Sequence, residues 1–191
     1  WHQRTDFFIT LAGPPKASTA VNRLVECCLD TLPKGSVRSI SSSAAIGEIV
    51  LSPPPDSLAI FTDGSALGNP GPTGAGLYVI GPLLNGHRFT LTISVGLGAG
   101  TNNLGEAFGI DLALSLLHVL RRASSTIGRA FIASDSMLCI GYLCHRWSFS
   151  DQAGVPSIRH ARTSLRSFIS PPRMYWVRGH AKVHGNEMAD A

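Results

Sequence analysis

Along residues 57–191, short apolar runs alternate with turn-rich breaks, and one longer stretch carries apolar side chains at helical spacing. Leu58-Ala59-Ile60-Phe61 is brief enough for a buried strand, and it is closed by Asp63-Gly64 and the turn-rich Gly68-Asn69-Pro70-Gly71-Pro72. Ala75 to Ile80 and His87 to Val95 read as second and third strands with turn residues between them, which makes an antiparallel meander. From Asn103 to Arg122, Leu104, Phe108, Leu112, Leu116 and Leu120 repeat with a helical period. Arg121 and Arg122 sit where they complement the dipole at a helix C-terminus. Ala130 to Ala133 predicts a fourth strand, Ser136 to Cys144 a helix, and Ile158, Ala161, Leu165 and Phe168 a further amphipathic helix. Met174 to Val177 is the fifth strand, Arg178 to Gly185 a loop, and a last helix starts at Asn186. The order β-β-β-α-β-α-α-β-α predicts an α/β domain: a mixed five-stranded sheet, its first three strands antiparallel, flanked by helices.

Residues 1–56 have a different texture. One amphipathic helix is expected from about Ser18 to Leu32, with Ala20, Leu24, Cys27 and Cys28 on one face and Pro33-Lys34-Gly35 as its stop. Ser41-Ser42-Ser43 and Pro53-Pro54-Pro55 read as linker, so the boundary falls near Ser57 and residues 1–56 form an extension of unassigned role. The chain opens on Trp1 and stops at Ala191 inside the last predicted helix, and both ends read as cut from something longer.

Charge sharpens this division. The net +4 lies entirely in residues 57–191, which hold eleven Lys/Arg against seven Asp/Glu, and a basic excess favours polyanionic partners. The longest apolar helical stretch is interrupted by Glu106 and Asp111, and the first residues lack the apolar run of a secretory signal. No membrane association is expected, and the protein is placed inside the cell, with nucleus and cytoplasm both open. Cys27, Cys28, Cys139 and Cys144 match neither a zinc spacing nor a disulfide framework, and are read as reduced, mostly buried thiols.

Three of the seven downstream acids arrive on apolar elements that do not need them: Asp63 after Phe61, Glu106 within the long helix and Asp135 after Ile132. A fourth, Asp190, lies in the last helix. Each has an ordinary reading. Asp63-Gly64 is a common turn pair, Glu106 stands three after Asn103 as in a capping box, Asp135 precedes a helix start, and Asp190 suits a solvated face. Taken together they form the hard-oxygen donor set that suits magnesium and phosphodiester hydrolysis.

The wording around them carries a resemblance. Thr62 to Gly76, reading TDGSALGNPGPTGAG, resembles the first-strand signature of type-1 ribonuclease H. Thr101-Asn102-Asn103 with Glu106, then Ser134-Asp135-Ser136, then Trp176-Val177-Arg178-Gly179-His180 running to Gly185-Asn186-Glu187 and Asp190, follow in the family's order. The resemblance spans about Leu58 to Ala191. It implies a ribonuclease H-like fold and endonucleolytic cutting of the RNA strand of RNA–DNA hybrids with two magnesium ions, for which manganese is a substitute.

Carried over by position, the resemblance puts Asp63 between the two ions, Glu106 and Asp135 on one, Asp190 on the other, and His180 on a loop near the scissile phosphate. It makes Gly68, Asn69, Asn102, Asn103 and Asn186 contacts to the nucleic acid; side-chain amides both donate to and accept from ribose 2′-hydroxyls. There are departures. Met137 stands where many members have a glutamine, and between Cys144 and Pro156 only Arg146 is basic, so a basic protrusion is missing. His180 and His184 make a weak zinc pair, because Gly179 and Gly185 favour a loop. Arg159, Arg162 and Arg166 suit a solvated helix face or phosphate contact. Two contexts fit the resemblance: a cellular enzyme, or the ribonuclease module of a retroelement polyprotein joined to a reverse transcriptase. The competing class is a catalytically silent hybrid-binding module that keeps the fold.

Overall fold

The computed structural model describes residues 7–8, 40–43, 56–81, 88–123, 127–180 and 183–191. Its elements are β1 (Phe7–Phe8), β2 (Ile40–Ser43), β3 (Ser57–Ala66), β4 (Gly71–Ile80), β5 (Arg88–Gly100), α1 (Asn102–Ala123), β6 (Arg129–Ser134), α2 (Met137–His145), α3 (Val155–Ser167), β7 (Arg173–Trp176) and α4 (His184–Asp190). The expected helix at 18–32, the vicinal cysteines and the triple proline lie outside the described residues.

The five expected strands are all present, in the order β5-β4-β3-β6-β7, with β3, β4 and β5 antiparallel and β6 and β7 parallel to the centre. Two short strands from the extension add to the outer edge. Ile40–Ser43 pairs with Leu91 to Arg88, and Phe7–Phe8 pairs with Val95 and Ser94. The serine run taken for linker is thus a strand, because an edge ladder is held by main-chain N–H and C=O groups that serine carries like any other residue.

β3 is the central strand, and its alternation sorts two cores. Leu58 and Ile60 face α1 together with Leu77, Val79, Ile93 and Ile132. Ala59 and Phe61 face the other side with Tyr78, Ile80 and Ala189 of α4. α1 is long and apolar enough to cross a membrane by length and composition. It is instead the core helix, with Ala107, Ile110, Leu114, Leu117 and Leu120 buried against the sheet.

Boundaries differ from expectation in instructive places. Asp63-Gly64 does not end the first strand. β3 runs on to Ala66, with Asp63 opposite Gly76 and Gly64 opposite Ala75, and the chain reverses over Leu67 to Pro70. Gly71, read as a turn residue, and Gly74, Gly96, Gly98 and Gly100, beyond the expected strand ends, pair across β4 and β5 with a bulge between Thr73 and Gly74. Ladder pairing overrides their low strand preference. The last helix starts at His184, two residues before Asn186.

Candidate metal and nucleic-acid site

The end of the sheet where β3 and β6 run parallel places Thr62 beside Ser134, so Asp63 and Asp135 leave neighbouring strands at the same level. α1 crosses above them and brings Glu106 down. That crossing is closer than ordinary side chains permit. A Cβ on Gly64 would fall 2.1 Å from the Glu106 nitrogen, and one on Gly105 would fall 2.5 Å from the Gly74 carbonyl oxygen. The two glycines, each adjacent to an acid in the chain, let backbone meet backbone and set the gap between Asp63 and Glu106. α4 is seated the same way, since a Cβ on Gly76 would meet the Ala189 carbonyl oxygen at 1.8 Å.

Asp63, Glu106 and Asp135 each offer a carboxylate oxygen, and the three atoms lie within 4.8 Å of one another. Asp63 and Glu106 are buried, at 7% and 9% exposure. Three negative charges so placed repel each other and are poorly hydrated. Burial, then the charge of Asp135, raises Asp63 from 3.8 to about 7, and Asp190 adds to the rise through its charge and a side-chain hydrogen bond. Burial, then Asp135 and Asp63, pushes Glu106 from 4.5 up to about 9.

For Asp63, Glu106 and Asp135 the ordinary readings do not hold, whereas Asp190 does lie on an exposed helix face. Thr101, rather than Asn103, caps α1, its Oγ1 accepting from the Leu104 N–H at 3.1 Å, and Glu106 instead accepts from Ser134 Oγ at 3.3 Å. Ser136 caps α2, accepting from the Cys139 N–H at 3.3 Å. Asp135 is left with a buried Oδ1 that has no hydrogen-bond partner, an arrangement that costs free energy unless a cation or donor arrives. This orphaned oxygen, inside an all-carboxylate donor set, fits a hard divalent cation. Asp63 is partly held by the Gly64 N–H at 2.8 Å.

Asp190 is exposed at the C-terminal end of α4 and joins Asp63 and Gly76 in lining a cleft of about 280 Å³. His180, in a turn with φ +50°, places Nδ1 3.9 Å from Asp190 Oδ2 and leaves its ring largely in solvent. His184 lies instead in α4 with its ring edge-on to Tyr78, so the two histidines form no zinc pair.

On the other side of the cluster, Gly68 (φ +84°) and Asn69 occupy the exposed tip of the β3–β4 hairpin. The Asn69 Oδ1 accepts from the Asn102 N–H at 3.4 Å, so Asn69, Asn102 and Asn103 gather at one rim. Asn186 is not with them. It is 2% exposed, and its Oδ1 is buried without a partner, because the first turn of α4 turns inward onto the sheet. Met137 is exposed next to Asp135. Of the arginine stripe, Arg159 and Arg166 are exposed while Arg162 lies over Tyr142, 4.7 Å from its ring centre. Of the thiols expected to be mostly buried, Cys139 is buried and pushed up to about 12 by desolvation, while Cys144 is exposed at the end of α2.

Sequence reasoning assigned no role to Ser134, although it bridges Glu106 and the Ser136 N–H. Gly64 reads from the sequence only as half of a turn pair, and Gly105 carries no reading there. Their signal was present: a glycine directly beside each of two acids on crossing elements.

The family model for RNase H matches residues 55–191. The chain is 32% identical over 133 residues to the ribonuclease H of Shewanella sp. (strain W3-18-1), an alignment covering 69% of this chain and 82% of that protein. It is 30% identical over 136 residues to the ribonuclease H of Proteus mirabilis (strain HI4320), covering 69% and 80% respectively. Among solved structures, LC11-RNase H1, isolated from compost by a metagenomic approach and solved in complex with an RNA/DNA hybrid, superposes with a TM-score of 0.56 at 20% identity. That superposition covers 70% of this chain and 94% of that one.

Proposed function

Because this chain belongs to the ribonuclease H family, we propose that it cuts the RNA strand of RNA–DNA hybrids at the carboxylate cleft between β3, β6 and α1. The observation that carries the reading is the convergence of Asp63, Glu106 and Asp135, with an unpartnered Asp135 oxygen and two acids held well above their ordinary range. Such a cluster is unfavourable alone and becomes favourable around positive charge.

Asp63, Glu106, Asp135 and Asp190 would hold two magnesium ions, or manganese in their place, which when bound supply activation of the attacking water and stabilisation of the leaving oxygen. The rest is the chain's own work. Gly64 holds one Asp63 oxygen by its N–H and leaves the other for the cleft. Ser134 fixes the rotamer of Glu106. His180, beside Asp190 and in solvent, is placed to carry a proton at Nδ1 between the cleft and water. Asn69, Asn102 and Asn103 reach the ribose 2′-hydroxyls, and thereby distinguish RNA–DNA from duplex DNA.

The same reading takes residues 57–191 as the nuclease and residues 1–56 as an extension. It suits a cellular enzyme and the nuclease module of a retroelement polyprotein carrying reverse transcriptase, and both meet hybrids inside the cell. The test is cleavage of one labelled RNA paired in turn with DNA and with RNA, alongside duplex DNA, with and without magnesium. Cutting of the RNA in the hybrid alone is expected. Binding of the hybrid with no cutting by the folded chain would instead support a silent binding module.

A further inference from the structure

The start of α1 is gripped from a distant part of the chain. Thr101 Oγ1 donates to Asp151 Oδ2, fifty residues away on the α2–α3 connection, while the same hydroxyl oxygen accepts from the Leu104 N–H at 3.1 Å. The other Asp151 oxygen accepts from the Ala153 N–H at 2.9 Å, which holds the carboxylate's orientation. Three residues after Asp151, Gly154 packs so tightly on this turn that a Cβ there would stand 3.2 Å from the Asn103 carbonyl oxygen and 2.9 Å from the Phe149 ring. From the opposite side, the hairpin tip touches the Asn102 N–H through Asn69.

A threonine cap needs one rotamer, in which its oxygen faces the helix N–H groups, and a lone hydroxyl is free to leave it. Accepting the hydroxyl hydrogen ties that rotamer down, because the lone pair then points at Leu104. A carboxylate also complements the positive end of the helix dipole. Asp151 carries no salt bridge to a described Lys or Arg. Its described partners are therefore the α1 cap and its own turn.

We propose that Asp151 is a positioning residue for hybrid recognition: by fixing Thr101 as the cap of α1, it holds the turn that presents Asn102 and Asn103. The inference rests on the reading that this rim contacts the hybrid. It differs from a direct substrate contact in sign, because a carboxylate facing a nucleic-acid backbone repels it. If Asp151 acted mainly through its charge, removing the charge would tighten binding. As a positioning residue, its removal loosens binding.

The experiment compares steady-state hybrid cleavage by the full chain with D151A, D151N, T101V and D151A/T101V, recording thermal unfolding of each. D151A is expected to raise KM about fivefold, the scale of losing a helix cap, with the change falling on KM and not on kcat. D151N, which keeps an acceptor for the threonine hydroxyl, is expected to recover most of that loss. The double variant should match T101V, since both changes break one linkage. Tighter binding in both Asp151 variants, additive effects in the double variant, or an unchanged KM in D151A would overturn the inference while leaving cleavage by the unaltered chain in place. Failure of the unaltered, folded chain to cut the hybrid would remove the functional reading itself, and this inference with it.

Discussion

Replacing Glu106 by glutamine isolates the electrostatic tension in the cluster. Glutamine keeps the volume and the acceptor for Ser134 Oγ but removes the charge. In the folded, metal-free chain the carboxyl is pushed from 4.5 up to about 9, first by burial and then by Asp135 and Asp63. The fold therefore holds its proton more tightly than the unfolded chain does. The stability tied to that proton is fully present below about pH 4.5 and is lost as pH rises towards 9. A displacement of that size corresponds to about 6 kcal/mol on the ionised form, which water entering the open cleft and small shifts of Asp135 would reduce to about 2–3 kcal/mol. Glu106→Gln should accordingly match the unaltered chain near pH 4.5 and exceed its melting temperature by about 5–10 °C near pH 9, both in chelator. Adding magnesium should reverse the order, because the unaltered chain gains binding free energy that the variant has partly lost. Thermal unfolding followed by circular dichroism across this pH range is the assay. A difference that is flat with pH, or equal stabilisation of both proteins by magnesium, would show that Glu106 is not under this electrostatic tension.

Other expectations follow from the same geometry. Gly76→Ala puts a methyl group into the Ala189 carbonyl, so it should cost about 1–3 kcal/mol and displace Asp190, lowering cleavage more than it lowers affinity for the hybrid. Leu114→Ala, at 0% exposure on the sheet-facing side of α1, should lower stability by about 2–5 kcal/mol in urea titrations while any chain still folded keeps its activity. His180→Ala should reduce kcat about a hundredfold with little change in unfolding temperature, since its ring is largely solvated; stopped-time cleavage assays at several pH values measure this.

The elements that position the site were legible where side-chain periodicity is strong. The long helix shows its buried stripe at Leu116 and Leu120, and the central strand shows its apolar run, because packing on both faces leaves little choice of residue. Legibility failed where backbone does the work. Nothing about Ile40–Ser43 announces an edge strand, since its ladder needs only main-chain donors and acceptors. The glycines that carry β4 and β5 beyond their apolar runs give no strand signal until the partner strand is present. At the site, the carboxylates stood out by their intrusion into apolar elements, and family wording then linked them. Asn186 shares that wording but is buried, because exposure depends on how α4 seats against Gly76 and Phe61. The Asp151–Thr101 linkage spans fifty residues and has no local signal at all.

Catalysis at the carboxylate cleft is tested by magnesium-dependent cutting of a labelled RNA–DNA hybrid by the unaltered chain and by Asp63→Asn, with hybrid binding measured on the same samples. The unaltered chain should cut only the RNA strand and only with the metal, and the variant should bind the hybrid but cut about a hundredfold less or not at all. Equal cutting by both proteins, or cutting that persists in chelator, would contradict metal-dependent catalysis at this cleft.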